Sequence, residues 1–215
     1  MDLNLVEDDE QEKARKWWQE NRAPIITGVV LGLSIIIGFN WWGEYKTGRG
    51  EDASMLYQQM INFDADGNRV ASQASEIGQQ IIDQYDDTSY AGKAALIVAR
   101  IAYDNKDLDG AREKLDWAIN NSKQFETVHT ARLRLATILM VESKFDEALE
   151  LLSVVNMEGF ESHYYEMRGD IYLNLQQPDK ARDAYRAAID GLSADSMYEP
   201  VLKMKLDAIA TGTNS

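Results

Sequence analysis

Apolar residues fall into two patterns along this chain. From residue 23 to residue 43 there are 21 consecutive positions without a charge, most of them Ile, Leu, Val, Phe, Trp or Gly. A helix of that length spans roughly 30 Å, the thickness of a bilayer's hydrocarbon core, and it satisfies its own backbone polar groups there. Beyond residue 52 the apolar positions recur at three- and four-residue spacing between short polar breaks. That is the pattern of amphipathic helices joined by turns.

The spacing predicts helices over 52–63, 69–85, 90–103, 108–121, 128–142, 145–155, 162–174, 178–191 and 196–209. Asp66, Gly67 and Asn68 read as a turn, and Asp195 with Ser196 as a cap for the last helix. Residues 10–20 read as a short helix in an acidic tail of residues 1–24, and Pro24 suits the first turn of the spanning helix. Residues 43–51, with Gly48 and Gly50, read as a linker to a domain over 52–215. No segment shows sustained strand alternation.

The apolar stretch, residues 25–42, reads as a retained anchor. Trp17 and Trp18 precede it, and Trp41, Trp42 and Tyr45 follow it, as interfacial aromatics do around a spanning helix. It ends in Asn40, Trp41, Trp42, Gly43 and Glu44, without the small residues of a leader-cleavage site. Lys13, Arg15, Lys16 and Arg22 lie on its N-terminal side against Lys46 and Arg49 on the other. That excess puts the N-terminus in the cytoplasm and exports the domain. Gly28 with Gly32, and Ser34 with Gly38, form small-residue pairs four apart, the spacing that lets a second helix approach closely.

The domain contains a repeat. Ala111, Leu115 and Ala118 recur as Ala148, Leu152 and Val155, and again as Ala181, Tyr185 and Ala188, at periods of 37 and 33 residues. The surrounding words correspond: LDGAREKL, FDEALELL and PDKARDAY. Twelve positions before each leading alanine stand Ala99, Ala136 and Gly169, where two helices of a hairpin must pack closely. Tyr165 and Tyr172 complete the last unit. The unit before the first keeps only Ala74 and Ile81. These features resemble the tetratricopeptide repeat. The fold class expected is all-α: an N-terminal transmembrane helix, then a tetratricopeptide-like solenoid of helical hairpins whose last helix caps the open end. The alanines and tyrosines are then core, not a ligand box.

Composition narrows the function. Residues 43–215 hold 18 basic and 29 acidic residues, a net of −11, which disfavours nucleic acid and anionic lipid as partners of the domain. There is no cysteine, so neither disulfide nor thiol chemistry is available. The two histidines, His129 and His163, make no transition-metal set, and neither a nucleophile motif nor a phosphate loop is present. Asn105, Asp107, Asp109, Gly110 and Asp116 imitate a calcium loop, but Asn opens it and Asp stands where a longer Glu belongs. The repeat needs the same residues for a turn and a helix start. No catalytic, cofactor or metal site is expected.

Residues 14–18, residues 25–42 and the three repeat words together resemble, end to end, the ancillary SecYEG translocon subunit family, single-pass inner-membrane proteins of Gram-negative bacteria. The resemblance implies association with the Sec translocon. It also implies partnership with a membrane-anchored periplasmic chaperone of the peptidyl-prolyl isomerase type, both receiving proteins that leave the channel. It further implies a link to envelope stress control through a cytoplasmic regulator and the tail around residues 7–20. The alternative is a membrane-anchored repeat scaffold for envelope or cell-wall assembly. Partners separate the two, and neither is an enzyme.

Overall fold

The computed structural model describes residues 3–65, 71–154, 156–193 and 196–212; the side chains of 3–12, 14, 64–65 and 210–212 lie outside the description. Among the described residues every regular element is an α-helix: α1 (Leu3–Ala65), α2 (Ala71–Gln84), α3 (Ser89–Asp104), α4 (Leu108–Asn121), α5 (Phe125–Val141), α6 (Phe145–Leu151), α7 (Glu161–Asn174), α8 (Pro178–Asp190) and α9 (Glu199–Gly212). The chain divides into two compact units, Met1–Arg49 and Gly50–Ser215.

The first helix is longer than the pattern predicts. The expected tail helix, spanning helix, linker and first domain helix are one helical run, with Pro24 inside it rather than in a first turn. The missing proline N–H leaves the Glu20 carbonyl without its usual donor four residues on, which water can replace at this exposed position. Gly43, Gly48 and Gly50 do not end the run, because a glycine costs a helix about 1 kcal/mol against alanine without breaking it. No proline falls between Pro24 and Pro178.

Several other boundaries move, among them the start of α5 at Phe125 instead of 128, and two move for local reasons. α6 stops at Leu151, short of the expected 155, where Ser153 N–H closes on Glu150 O at 2.9 Å and Val154 N–H on Leu152 O at 3.0 Å. α9 begins at Glu199, later than the expected 196, with Pro200 in its first turn. Ser196 still organises the approach, its Oγ accepting from Tyr198 N–H at 3.3 Å. Asp195, and the turn expected at Asp66, Gly67 and Asn68, lie outside the described residues.

In the second unit α3/α4, α5/α6 and α7/α8 are hairpins. They stack through α4 on α5, α6 on α7, and the contacts of α3 with α5 and α5 with α7; α2 packs on α3 and α9 on α8. The hairpin turns repeat more faithfully than the sequence does. Lys106, Ser143 and Gln176 are the described non-glycine residues with positive φ, at 65°, 58° and 56°, and they are spaced by the same 37 and 33 residues. Each donates its N–H three residues back, to Tyr103, Met140 and Leu173. The next residue donates five back, Asp107 to Ala102, Lys144 to Leu139 and Gln177 to Tyr172. This paired closure satisfies the last carbonyls of a helix with a single left-handed residue.

The repeat positions build the interior. Ala99, Ala111, Leu115, Ala118, Ala136, Ala148, Leu152, Ala181, Tyr185 and Ala188 are buried, and Tyr172 packs against Ala181 and Tyr185. Val155 lies outside the described residues. Small residues let the paired helices approach; the large ones fill the space between hairpins, each worth roughly 1.5–3 kcal/mol when fully buried. The degenerate first pair keeps the same logic with one more glycine. A Cβ on Gly78 would stand 2.5 Å from Val98 Cγ2 and 2.6 Å from Met60 Cε, so α1, α2 and α3 converge on that glycine, with Ala74 and Ile81 buried beside it.

Candidate functional site

Two surfaces and one capped end carry the features available for function. Arg15–Phe63, most of which belongs to the first unit, is the one helical stretch, among the described residues, long and apolar enough to cross a membrane, and its apolar window is wholly exposed. A buried core helix would be packed on its own chain; this apolar window is not. A Cβ at Gly28, Gly32 or Gly38 would meet nothing within 4 Å, so no contact within the chain requires glycine there. At about 100° per residue, the Gly28/Gly32 pair and the Ser34/Gly38 pair lie on faces roughly 120° apart. Ser34 Oγ donates to Val30 O at 2.8 Å, so Ser34 offers a neighbour small size rather than a spare donor.

The predicted interfacial aromatics are exposed: Trp17 and Trp18 near one end of the apolar stretch, Trp41, Trp42 and Tyr45 at the other. The second group makes ring contacts. Tyr45 sits 6.1 Å from the rings of both Trp41 and Trp42, Lys46 lies over Trp42 at 5.5 Å, and Arg49 lies over Tyr45 at 5.7 Å. These residues share one face of α1, a mixed aromatic and cationic stripe. From Trp18 to Trp41 the helix rises about 35 Å, matching a bilayer core with its interfacial margins.

In the second unit a cleft of about 240 Å³ opens where α3, α4 and α5 meet. Its lining, almost wholly apolar, comes from the buried Ala99, Leu115 and Ile138 and from Tyr103, Thr137 and the stems of Arg100 and Arg134. Arg134 Nη1 donates to Leu96 O at 3.2 Å. Burial, and then the neighbouring charge of Arg100, hold Arg134 below the ordinary arginine pKa. Arg100 pairs with Asp104 at 3.5 Å, both side chains about half exposed.

The far end is closed by α9 through polar contacts. Lys205 Nζ lies 2.8 Å from Glu166 Oε1 and 2.8 and 2.9 Å from the two Asp170 oxygens. Tyr185 Oη donates to Asp170 at 2.6 Å and Tyr198 Oη to Glu166 at 2.8 Å. Burial works against the Lys205 ammonium, but the hydrogen bonds to Asp170 and Glu166 outweigh it and raise its pKa. Burial first, then the Asp170 bond, push the Tyr185 phenol well above its usual range. The equivalent positions in earlier units are Leu96 and Leu133 for Glu166, and Arg100 and Thr137 for Asp170. Only the terminal unit places two acids there, and α9 answers with a lysine.

The histidines serve packing. His129 is buried between Phe125 and Phe160, at ring separations of 4.1 and 5.1 Å, with Nδ1 2.8 Å from Tyr164 Oη. His163 stacks on Tyr198 at 6.5 Å. Among the described residues no cluster of His, Asp and Glu could hold a metal. The calcium-like loop is a turn and a cap: Lys106 takes the left-handed conformation, and Asp107 Oδ1 accepts from Gly110 N–H at 2.9 Å. The two arginines of the cleft, Lys205 and Gly78 were not singled out by the sequence. Only Gly78 had a local signal, a glycine between Ala74 and Ile81 in a helical pattern.

The profile of the tetratricopeptide repeat-like domain family matches residues 15–211. The chain belongs to that family. Its tetratricopeptide repeat-like core agrees with the solved structures it is similar to. Repeats related to kinesin light chain from Podosopora anserina share 13% identity at a TM-score of 0.56, over 77% of this chain and 88% of that one. MamA from Desulfovibrio magneticus shares 15% at 0.52, over 77% and 92%. These show the fold alone. Over nearly the whole chain it is similar to proteins named ancillary SecYEG translocon subunit. The one from Aggregatibacter actinomycetemcomitans is 28% identical, covering 96% of this chain and 99% of its own length. The one from Escherichia coli K12 is 23% identical, covering 98% and 100%.

Proposed function

We propose that this protein is a non-enzymatic ancillary subunit of the Sec translocon. Residues 25–42 anchor it in the inner membrane, residues 1–24 lie in the cytoplasm, and the repeat domain lies in the periplasm. There it links the translocon to a membrane-anchored chaperone of the peptidyl-prolyl isomerase type and assists proteins emerging from the channel. A role in envelope stress control would run through a cytoplasmic regulator and the tail.

The observation that carries this reading is the end-to-end correspondence with relatives bearing the translocon-subunit name, anchor and repeats included. Physics supports it. A solenoid offers an extended surface to another chain, and anchoring raises the local concentration of that surface beside a membrane channel. Gly28, Gly32, Ser34 and Gly38 are the proposed intramembrane contacts.

The test is photocrosslinking from benzoylphenylalanine at Thr137 in cells exporting an arrested secretory protein. Adducts to the arrested chain or to a periplasmic isomerase are expected. Adducts confined to cell-wall assembly proteins would favour the envelope scaffold instead.

A further inference from the structure

We propose that the face of α1 running from Ile35 to Arg49 binds one anionic glycerophospholipid, with an acyl chain in the notch at Gly38 and the phosphate on Lys46 and Arg49. The inference rests on residues 25–42 spanning a bilayer and on nothing about the Sec translocon.

Helical register is the first reason. At about 100° per residue, Ile35, Gly38, Phe39, Trp42, Lys46 and Arg49 all fall within about 100° of one another around α1. The first four line an open, almost wholly apolar notch of about 440 Å³. Gly38 keeps it open, since a Cβ there would meet nothing within 4 Å. Lys46 stands about 6 Å beyond Trp42 along the axis, and the headgroup layer of a bilayer is roughly 5–7 Å deep. With Trp42 at the inner edge of that layer, the Lys46 ammonium reaches the phosphates while the notch faces the acyl chains. The Gly28/Gly32 pair lies at least about 9 Å deeper than Gly38 and stays open to a helix partner.

Charge is the second reason. The Lys46 ammonium lies 5.5 Å over the Trp42 ring and the Arg49 guanidinium 5.7 Å over that of Tyr45. A ring carries no net charge, so the indole orients the exposed Lys46 without neutralising it. Glu44 lies about 160° round the helix from Lys46, on the opposite face. A zwitterionic headgroup brings its own cation beside the phosphate; an anionic one leaves the phosphate to accept charge-assisted hydrogen bonds from Lys46 and Arg49. Beyond position 42 the chain holds 29 acidic against 18 basic residues, which repels anionic lipid in general. A lipid held here is therefore held by this face and not by a diffuse field.

The test uses the full chain carrying Trp17→Phe and Trp18→Phe, which leaves Trp41 and Trp42 as the indoles flanking the apolar stretch and Trp117 of the second unit as a constant background. The chain is reconstituted in phosphatidylcholine vesicles, where a graded fraction of the lipid is replaced by acyl-brominated phosphatidylglycerol or acyl-brominated phosphatidylcholine. Bromine quenches indoles that the chains touch. Phosphatidylglycerol should quench with at least about a fivefold preference over phosphatidylcholine, reduced in high salt. Lys46→Gln with Arg49→Gln should bring the preference to within about twofold of unity, with an unchanged circular-dichroism spectrum. Gly38→Leu should also lower it, because the bound lipid loses the seat for its chain and bulk lipid loses nothing. Equal quenching by the two lipids, or a preference untouched by the double substitution, would overturn the proposal and leave the spanning helix in place. A preference untouched by Gly38→Leu would overturn the notch as the seat of the chain. Absence of quenching by either lipid would overturn the spanning reading, and the site with it.

Discussion

Gly169 lies directly against the ring of Tyr185: a Cβ on Gly169 would stand 2.6 Å from Cε1 and 2.8 Å from Cδ1. The other two units solve the same packing problem with Ala99 and Leu115, and with Ala136 and Leu152, all buried. Glycine and tyrosine in the last unit therefore exchange volume across one helix pair. Gly169→Ala should destabilise the domain by about 1–3 kcal/mol through overpacking. Tyr185→Leu alone should also destabilise it, by opening space and ending the bond to Asp170. The double variant recreates the pairing of the other units, so urea unfolding should show coupling of at least about 1 kcal/mol. Additivity would mean that the two residues do not share the space.

The left-handed residues Lys106, Ser143 and Gln176 make a separate prediction. Each holds φ near 60° with a Cβ, a conformation that costs a non-glycine residue roughly 1–2 kcal/mol. Glycine at any of the three should stabilise by up to about 1 kcal/mol once its own chain entropy is counted. Valine should destabilise by more. Thermal melts of the six single variants check both directions; a glycine variant melting below the parent would show that these side chains hold contacts the backbone needs.

His129 makes stability depend on pH. Burial, and then the Arg132 charge, lower its pKa below the ordinary 6.5, with Glu161 opposing. A histidine harder to protonate in the native state contributes stability that is complete above the unfolded pKa. That stability is lost as pH falls from there towards the lowered native value. The melting temperature should therefore fall as pH is taken from about 7.5 to about 5.5. His129→Gln, which can still reach Tyr164, should flatten that slope. Parallel slopes would assign the acid sensitivity to other groups.

How legible was all this? The hairpins could be read because helix pairs need small residues where they cross, and Ala99, Ala136 and Gly169 stand one repeat apart in the sequence itself. The spanning stretch could be read because its length and apolarity have few other uses. Contacts between distant segments could not be read. Lys205 is one of several lysines until α9 folds back on α7. Arg100 and Arg134 come together although 134 is not the repeat partner of 100. Gly78 looks like a weakness in a helix until Met60 and Val98 arrive. The run through 43–51 escaped because glycines suggest a break while costing a helix only about 1 kcal/mol each.

The lysine clasp predicts local rather than global loosening. Lys205→Ala removes the cation shared by Glu166 and Asp170 and leaves two acids facing each other. Hydrogen exchange in residues 199–209 should accelerate while the cores of α3 to α6 keep their protection, because terminal elements of a solenoid open on their own. Acceleration spread evenly over the domain would instead make α9 part of one cooperative core.

Membership of a translocon assembly through an anchor and a repeat domain is tested most directly by native co-purification from solubilised membranes, read by mass spectrometry. The full chain is compared with one whose residues 25–42 are replaced by an unrelated spanning helix. The intact chain should bring down Sec translocon subunits together with a periplasmic isomerase. Loss of the translocon alone in the swapped chain would locate that contact in the anchor. Recovery of cell-wall or outer-membrane assembly proteins, with no translocon subunit from either chain, would contradict the account.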